Sequence, residues 1–82
     1  MISVERNDWT GGYKALFEHN EEMFYADLSP VYGLNECMIF RFDANGNIEF
    51  GNELYMRRHI PVTSANLLNC ISEFVDNNKE DD

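Results

Sequence analysis

Tyr13-Lys14-Ala15-Leu16-Phe17-Glu18-His19-Asn20-Glu21-Glu22-Met23-Phe24-Tyr25-Ala26-Asp27-Leu28 is the stretch on which the fold turns. Read as extended chain, Tyr13, Ala15 and Phe17 alternate with Lys14, Leu16 and Glu18. The polar run His19 to Glu22 then reverses direction, and Met23-Phe24-Tyr25-Ala26 returns as a second strand. Read as a helix, Tyr13, Leu16, Phe17 and Phe24 share a face, and Ala, Leu, Glu and Met favour that conformation. Asn20 interrupts the helical stripe, so two strands are the preferred reading.

Outward from that hairpin, Ile2 to Asn7 fits a short strand, and Trp9-Thr10-Gly11-Gly12 a turn whose glycines tolerate positive φ. Leu28-Ser29-Pro30-Val31-Tyr32-Gly33-Leu34-Asn35 reads as a loop marked by Pro and Gly. Met38, Phe40 and Phe42 alternate with Ile39 and Arg41. The Asn45-Gly46 turn signal and Ile48-Glu49-Phe50 then predict a second hairpin. Met38, Phe40, Phe42, Ile48 and Phe50 are expected on one face. Leu54 to Ile60 reads as a further strand ended by Pro61, with Leu54, Met56, Arg58 and Ile60 opposite Tyr55, Arg57 and His59. Thr63 or Ser64 caps a helix whose apolar stripe is Leu67, Leu68, Ile71, Phe74 and Val75.

The sum is an α+β fold: an antiparallel sheet of four or five strands with one C-terminal helix packed on one face. Residues 1–76 form a single small domain, and 77–82 read as a frayed acidic tail. The helix is expected to cover the Phe-rich sheet face, with a core resting on Phe17, Phe24, Phe40, Phe42, Phe50, Phe74 and Trp9. The opposite face is then polar or meets a partner.

Charge is the strongest compositional signal. Fifteen acids face six Lys and Arg in 82 residues, a net charge of −9. Such a chain repels nucleic acid and anionic membranes and attracts basic surfaces. No apolar run approaches the ~18 residues of a membrane span. The first residues lack the basic and apolar regions of a signal peptide, which points to the cytoplasm and to reduced Cys37 and Cys70.

Chemistry-bearing patterns are weak. Asp43-x-Asn45-x-Asn47 opens like a calcium loop, but Ile48 and Leu54 stand where that loop needs Gly and Glu. His19 lies among Glu18, Glu21 and Glu22 without a third fixed ligand. No nucleophile elbow, phosphate-binding glycine loop or paired-cysteine metal motif is present, so neither an enzyme nor a cofactor or metal is expected. Arg41, Arg57 and Arg58 are expected to neutralise neighbours such as Glu49 and Glu53.

What remains is acid interleaved with tyrosine, the composition of a surface that meets arginine and lysine. The expected contacts are Glu18, Glu21, Glu22, Tyr25, Glu49 and Glu53. In size, acidity and lack of catalytic motif the chain is similar in general character to small phage-encoded inhibitors of host defence, anti-CRISPR proteins and DNA mimics among them. That likeness implies a protein-interaction inhibitor or adaptor occupying a basic surface of a nucleic-acid-handling protein, with no direct nucleic-acid or membrane contact. The alternative is a self-associating structural or antitoxin-like module, with a homodimer as its simplest form.

Overall fold

Residues 12–31 form the central hairpin of the sheet. In the computed structural model, which describes residues 2–78, β2 (Gly12–His19) and β3 (Glu22–Val31) pair antiparallel from Tyr13↔Leu28 to His19↔Glu22. The turn between them is Asn20 and Glu21, with φ of 53° and 65°. Positive φ at both central residues is the geometry whose twist matches the flanking strands. It suits Asn20 better than Glu21, because a side chain in the left-handed region crowds its own carbonyl.

On one side β1 (Val4–Asn7) pairs with β2; on the other, β4 (Leu34–Arg41) pairs with β3 and β5 (Tyr55–Arg58) with β4. All neighbours are antiparallel and the order follows the chain, a five-stranded meander. The stretch from Leu28 to Asn35 is therefore not one loop. β3 continues through Pro30 to Val31, and only Tyr32 and Gly33, at φ 49° and 83°, make the turn. Pro30 lies beyond Leu28, the last β3 residue in register with β2. Since Val31 and Leu34 close the hairpin, the nitrogen of Pro30 is directed away from β4, so the missing donor costs no ladder bond.

The second expected hairpin is reduced to a single bridge, Phe42↔Ile48. Asp43 closes its turn by accepting from the backbone N–H of Asn45 and Asn47 at 2.8 and 2.9 Å. The ladder partner of β4 is instead β5.

α1 (Ser64–Asn77) begins at Thr63, whose hydroxyl accepts from the Asn66 N–H at 3.1 Å. Leu67, Cys70, Ile71 and Phe74 are its buried residues, at the spacing of one helical face. Leu68, expected in the stripe, is exposed, and Cys70 takes a place in it. The stripe lies on Ala15, Phe17, Phe24, Ala26, Leu28, Cys37 and Ile39. Phe17, Phe24 and Phe74 form the aromatic centre of this layer, with ring centroids 5.2 to 5.9 Å apart.

On β2 and β3 this face carries Phe17 and Phe24 as expected, but on β4 it is the face opposite to the expected one. Met38 and Phe40 alternate with Cys37 and Ile39 and lie on the other side of the sheet. The reason is steric: Ala15 and Ala26 occupy neighbouring positions on the helix-covered face, and their small side chains let α1 approach. Trp9 and Phe50, expected in the core, are 97% and 63% exposed. Leu54 and Ile60 pack against the helix-side core rather than sharing a face with Met56.

Of the sequence beyond 76, Asn77 is the last helical residue. Asn78 caps the end through its side-chain N–H to the Phe74 carbonyl at 2.8 Å. Residues 79–82 lie outside the described ones. No helix among the described residues is long and apolar enough to cross a membrane.

Candidate functional site

Among the described residues no helix or second sheet lies over the sheet face away from α1, and alternation decides what it carries. From β1 to β5 it presents Glu5 and Asn7; Lys14, Leu16 and Glu18; Met23, Tyr25, Asp27 and Ser29; Glu36, Met38 and Phe40; Met56 and Arg58. Four carboxylates thus stand against two cations. Of the latter, Arg58 is committed to Glu36 at 2.6 Å.

Over part of this face lies a groove of about 370 Å³, lined by residues that include Trp9, Thr10, Tyr25, Asp27, Phe40 and Phe50. Its apolar floor is Phe40, buried beneath Phe50, whose ring meets it edge-on at 5.2 Å. Tyr25 stacks beside Phe40 at 6.4 Å and meets Phe50 at 6.1 Å. Phe50 reaches this place because the Phe42–Leu54 connection folds back over β4, with the Glu49 N–H donating to the Arg41 carbonyl at 3.0 Å.

Asp27 supplies the polar centre. Its Oδ2 accepts from Asn7 Nδ2 at 2.7 Å and from the Tyr25 hydroxyl at 3.0 Å, and its Oδ1 accepts from Ser29 Oγ. Ser29 in turn lies 2.6 Å from the Thr10 hydroxyl, which accepts from the Gly12 N–H at 3.2 Å. Asn7 Oδ1 accepts from the Trp9 N–H at 3.2 Å, and the Asn7 carbonyl from Thr10 and Gly11. One carboxylate on β3 therefore fixes the β1–β2 loop and holds the Trp9 backbone at the rim. Burial, reinforced by the Asp27 charge and hydrogen bond, pushes the Tyr25 phenol well above its ordinary range. Tyr25 accordingly remains a donor.

The expected contact residues are distributed over several surfaces. Tyr25 is in the groove, and Glu18 shares its face on β2. Glu21 occupies the exposed β2–β3 turn. Glu22 belongs to the helix side, where it accepts from Arg41 Nε at 2.9 Å. Glu49 and Glu53 lie in the Phe42–Leu54 connection, Glu53 exposed and Glu49 half-buried. Arg41, Arg57 and Arg58 are paired as expected in kind but with other acids: Arg41 with Glu22, Arg57 with Glu73 at 3.4 Å and Arg58 with Glu36. Asp27, Asn7 and Ser29 were not singled out by sequence reasoning. The available signal was Tyr25-x-Asp27-x-Ser29, a polar set of period two within an otherwise apolar strand.

Two other places gather reactive groups. A crevice of about 250 Å³ at the end of α1 is lined by His19, Glu22, Arg41 and Asn78 among others. Its polar groups are used internally: His19 Nε2 lies 3.1 Å from the Asn78 carbonyl and Glu22 holds Arg41. Cys37 and Cys70 are free and buried on the sheet–helix interface. Their mutual contact, assisted at Cys70 by the Tyr55 hydroxyl and Arg57, draws the Cys70 thiol down to about 7; the same contact and burial push Cys37 up. Among the described residues no three His, Cys, Asp or Glu converge in a way that holds a metal ion. Comparison with family models, curated proteins and solved structures finds no match.

Proposed function

We propose that this chain is a non-catalytic binding protein, an inhibitor or adaptor that occupies a basic surface of a nucleic-acid-handling protein through its open sheet face. The observation that carries this reading is the placement of Trp9, Tyr25 and Phe50 around Asp27 on a sheet face that no helix or second sheet among the described residues covers. Exposed aromatic surface of this kind is characteristic of interaction sites, and aromatic rings dominate the energy of many interfaces. The net charge of −9 selects the sign of the partner. It speeds encounter with a cationic surface and opposes both nucleic acid and anionic membranes.

The same charge disfavours a homodimer built on this face, since Glu5, Glu18 and Asp27 of two copies would be brought together. A cytoplasmic location fits two free thiols buried in the core.

The test is affinity capture from the native host's lysate at low and at high salt, read by mass spectrometry. A basic nucleic-acid-handling protein retained at low salt and released at high salt is the expected result. Capture that is indifferent to salt contradicts the electrostatic part, and recovery of the bait alone contradicts the reading as a whole.

A further inference from the structure

We propose that the groove receives one arginine side chain of the partner protein, with Asp27 as its counter-charge, the rings of Tyr25 and Phe50 as its walls and Trp9 at its rim. This rests on the binding role proposed above and specifies the chemistry of its anchor.

Asp27 is a half-buried anion that makes no ion pair with any described cation. Arg41, Arg57 and Arg58 are held by other acids, and Arg6 lies over the Tyr13 ring at 5.3 Å. Lys14 stands in register with Asp27, yet its ammonium is not within ion-pair distance. A carboxylate offers about four acceptor positions. Asn7, Tyr25 and Ser29 fill three of them, which leaves one on Oδ1. The carboxylate is thus held rigidly by neutral donors while no described cation pairs with its charge.

Aromatic rings around an anion so held suit a cation with an apolar surface. Guanidinium meets that description better than ammonium. It is planar, stacks on rings and is weakly hydrated, whereas lysine carries a compact, strongly hydrated charge. The groove is also open on the side of Trp9 and Phe50, as entry from another protein's surface requires. Lys14 lines the same groove and opposes an incoming cation. Its charge sets the affinity below what the walls and Asp27 alone would give.

The experiment is a titration of the full, nitrogen-15-labelled chain with acetyl-Gly-Arg-Gly-amide, and with the lysine and citrulline counterparts, followed by amide and indole shifts. The arginine peptide should move Asn7, Trp9, Asp27 and Phe50, the lysine peptide should bind several-fold more weakly, and neutral citrulline should leave them in place. Asp27→Asn should weaken arginine binding about tenfold or more, the loss expected for a charge-assisted hydrogen bond. Trp9→Ala should weaken it about two- to fivefold, the scale of an exposed cation–π contact. Lys14→Met should tighten it. Trp9 is almost wholly in solvent, so its variant keeps the fold even if Asp27→Asn does not.

Equal response to arginine and citrulline, shifts centred on Glu18, Glu21 and Glu53, or unchanged affinity in both Trp9→Ala and Lys14→Met would overturn the assignment. If a basic protein is captured equally by the wild type and Trp9→Ala, the groove is wrong and the binding role stands. If the groove takes the arginine peptide and no basic protein is captured, the groove stands and the role falls.

Discussion

Phe74→Ala and Phe50→Ala apply one chemical change to the two faces of a single sheet, and their costs should differ by about twofold. Phe74 is 4% exposed and meets Phe24, Phe17 and Tyr55 at centroid distances of 5.2, 5.9 and 6.4 Å. Truncating such a ring removes its transfer free energy and leaves a cavity, about 3–5 kcal/mol together. A domain of 82 residues has a total stability of about 4–12 kcal/mol. Phe74→Ala therefore removes at least about a quarter of that stability and lowers the urea midpoint accordingly. Phe50 is 63% exposed, so little more than a third of its surface is covered. At ~25 cal/mol per Å² over a ring residue of ~200 Å², the loss is about 2 kcal/mol. Urea unfolding followed by far-ultraviolet circular dichroism measures both. Trp9 emission is a poor probe of this transition, because the indole is already in water in the native state. Equal costs for the two variants, or a Phe74→Ala loss below about 2 kcal/mol, would refute the assignment of the core to the helix side.

Glu21→Gly should raise stability by about 0.5–1 kcal/mol in the same assay, because the turn holds this residue at φ 65° where glycine has no steric cost. Alkali should destabilise the protein. Tyr25 and Tyr55 are both raised above their ordinary 10.0, mainly by burial, so the native state keeps protons that the unfolded state loses. Stability is full below pH 10 and falls as pH rises beyond it, and Tyr25→Phe should flatten the decline in a pH series of urea midpoints. Cys37 and Cys70 should react with an aromatic disulfide reagent only as fast as the sheet–helix interface opens, both being closed to solvent. Immediate labelling of either thiol in the folded chain would contradict that packing.

Much of this fold was legible in the sequence because local signals and tertiary packing agree. Tyr13 to Leu28 alternates as a hairpin, and Thr63 caps a helix whose Leu67, Ile71 and Phe74 fall on one side. Alternation does not by itself say which face is covered, and the large side chains Met38, Phe40 and Phe50 pointed to the wrong one. Ala15 and Ala26 held the better clue, since a helix needs small residues where it lies close to a sheet. Pro30 suggested a loop because a proline inside a central strand is costly. That cost vanishes where β2 no longer reaches. Within the groove, Tyr25 and Asp27 were readable as one polar row of β3. Asn7, Thr10 and Trp9 join them only through the β1–β2 pairing, and Phe50 through a connection with no ladder of its own. Those long-range placements have no local sequence signature.

The central claim is that the open sheet face is the docking surface for a basic partner. Its most direct test is parallel capture from the same lysate with the wild type and with a Trp9→Ala/Phe50→Ala double variant as baits, both first shown to be folded by circular dichroism. A basic protein retained by the wild type at low salt and absent from the variant is the predicted result. Equal retention by both baits would contradict the claim and move the binding surface elsewhere on the molecule.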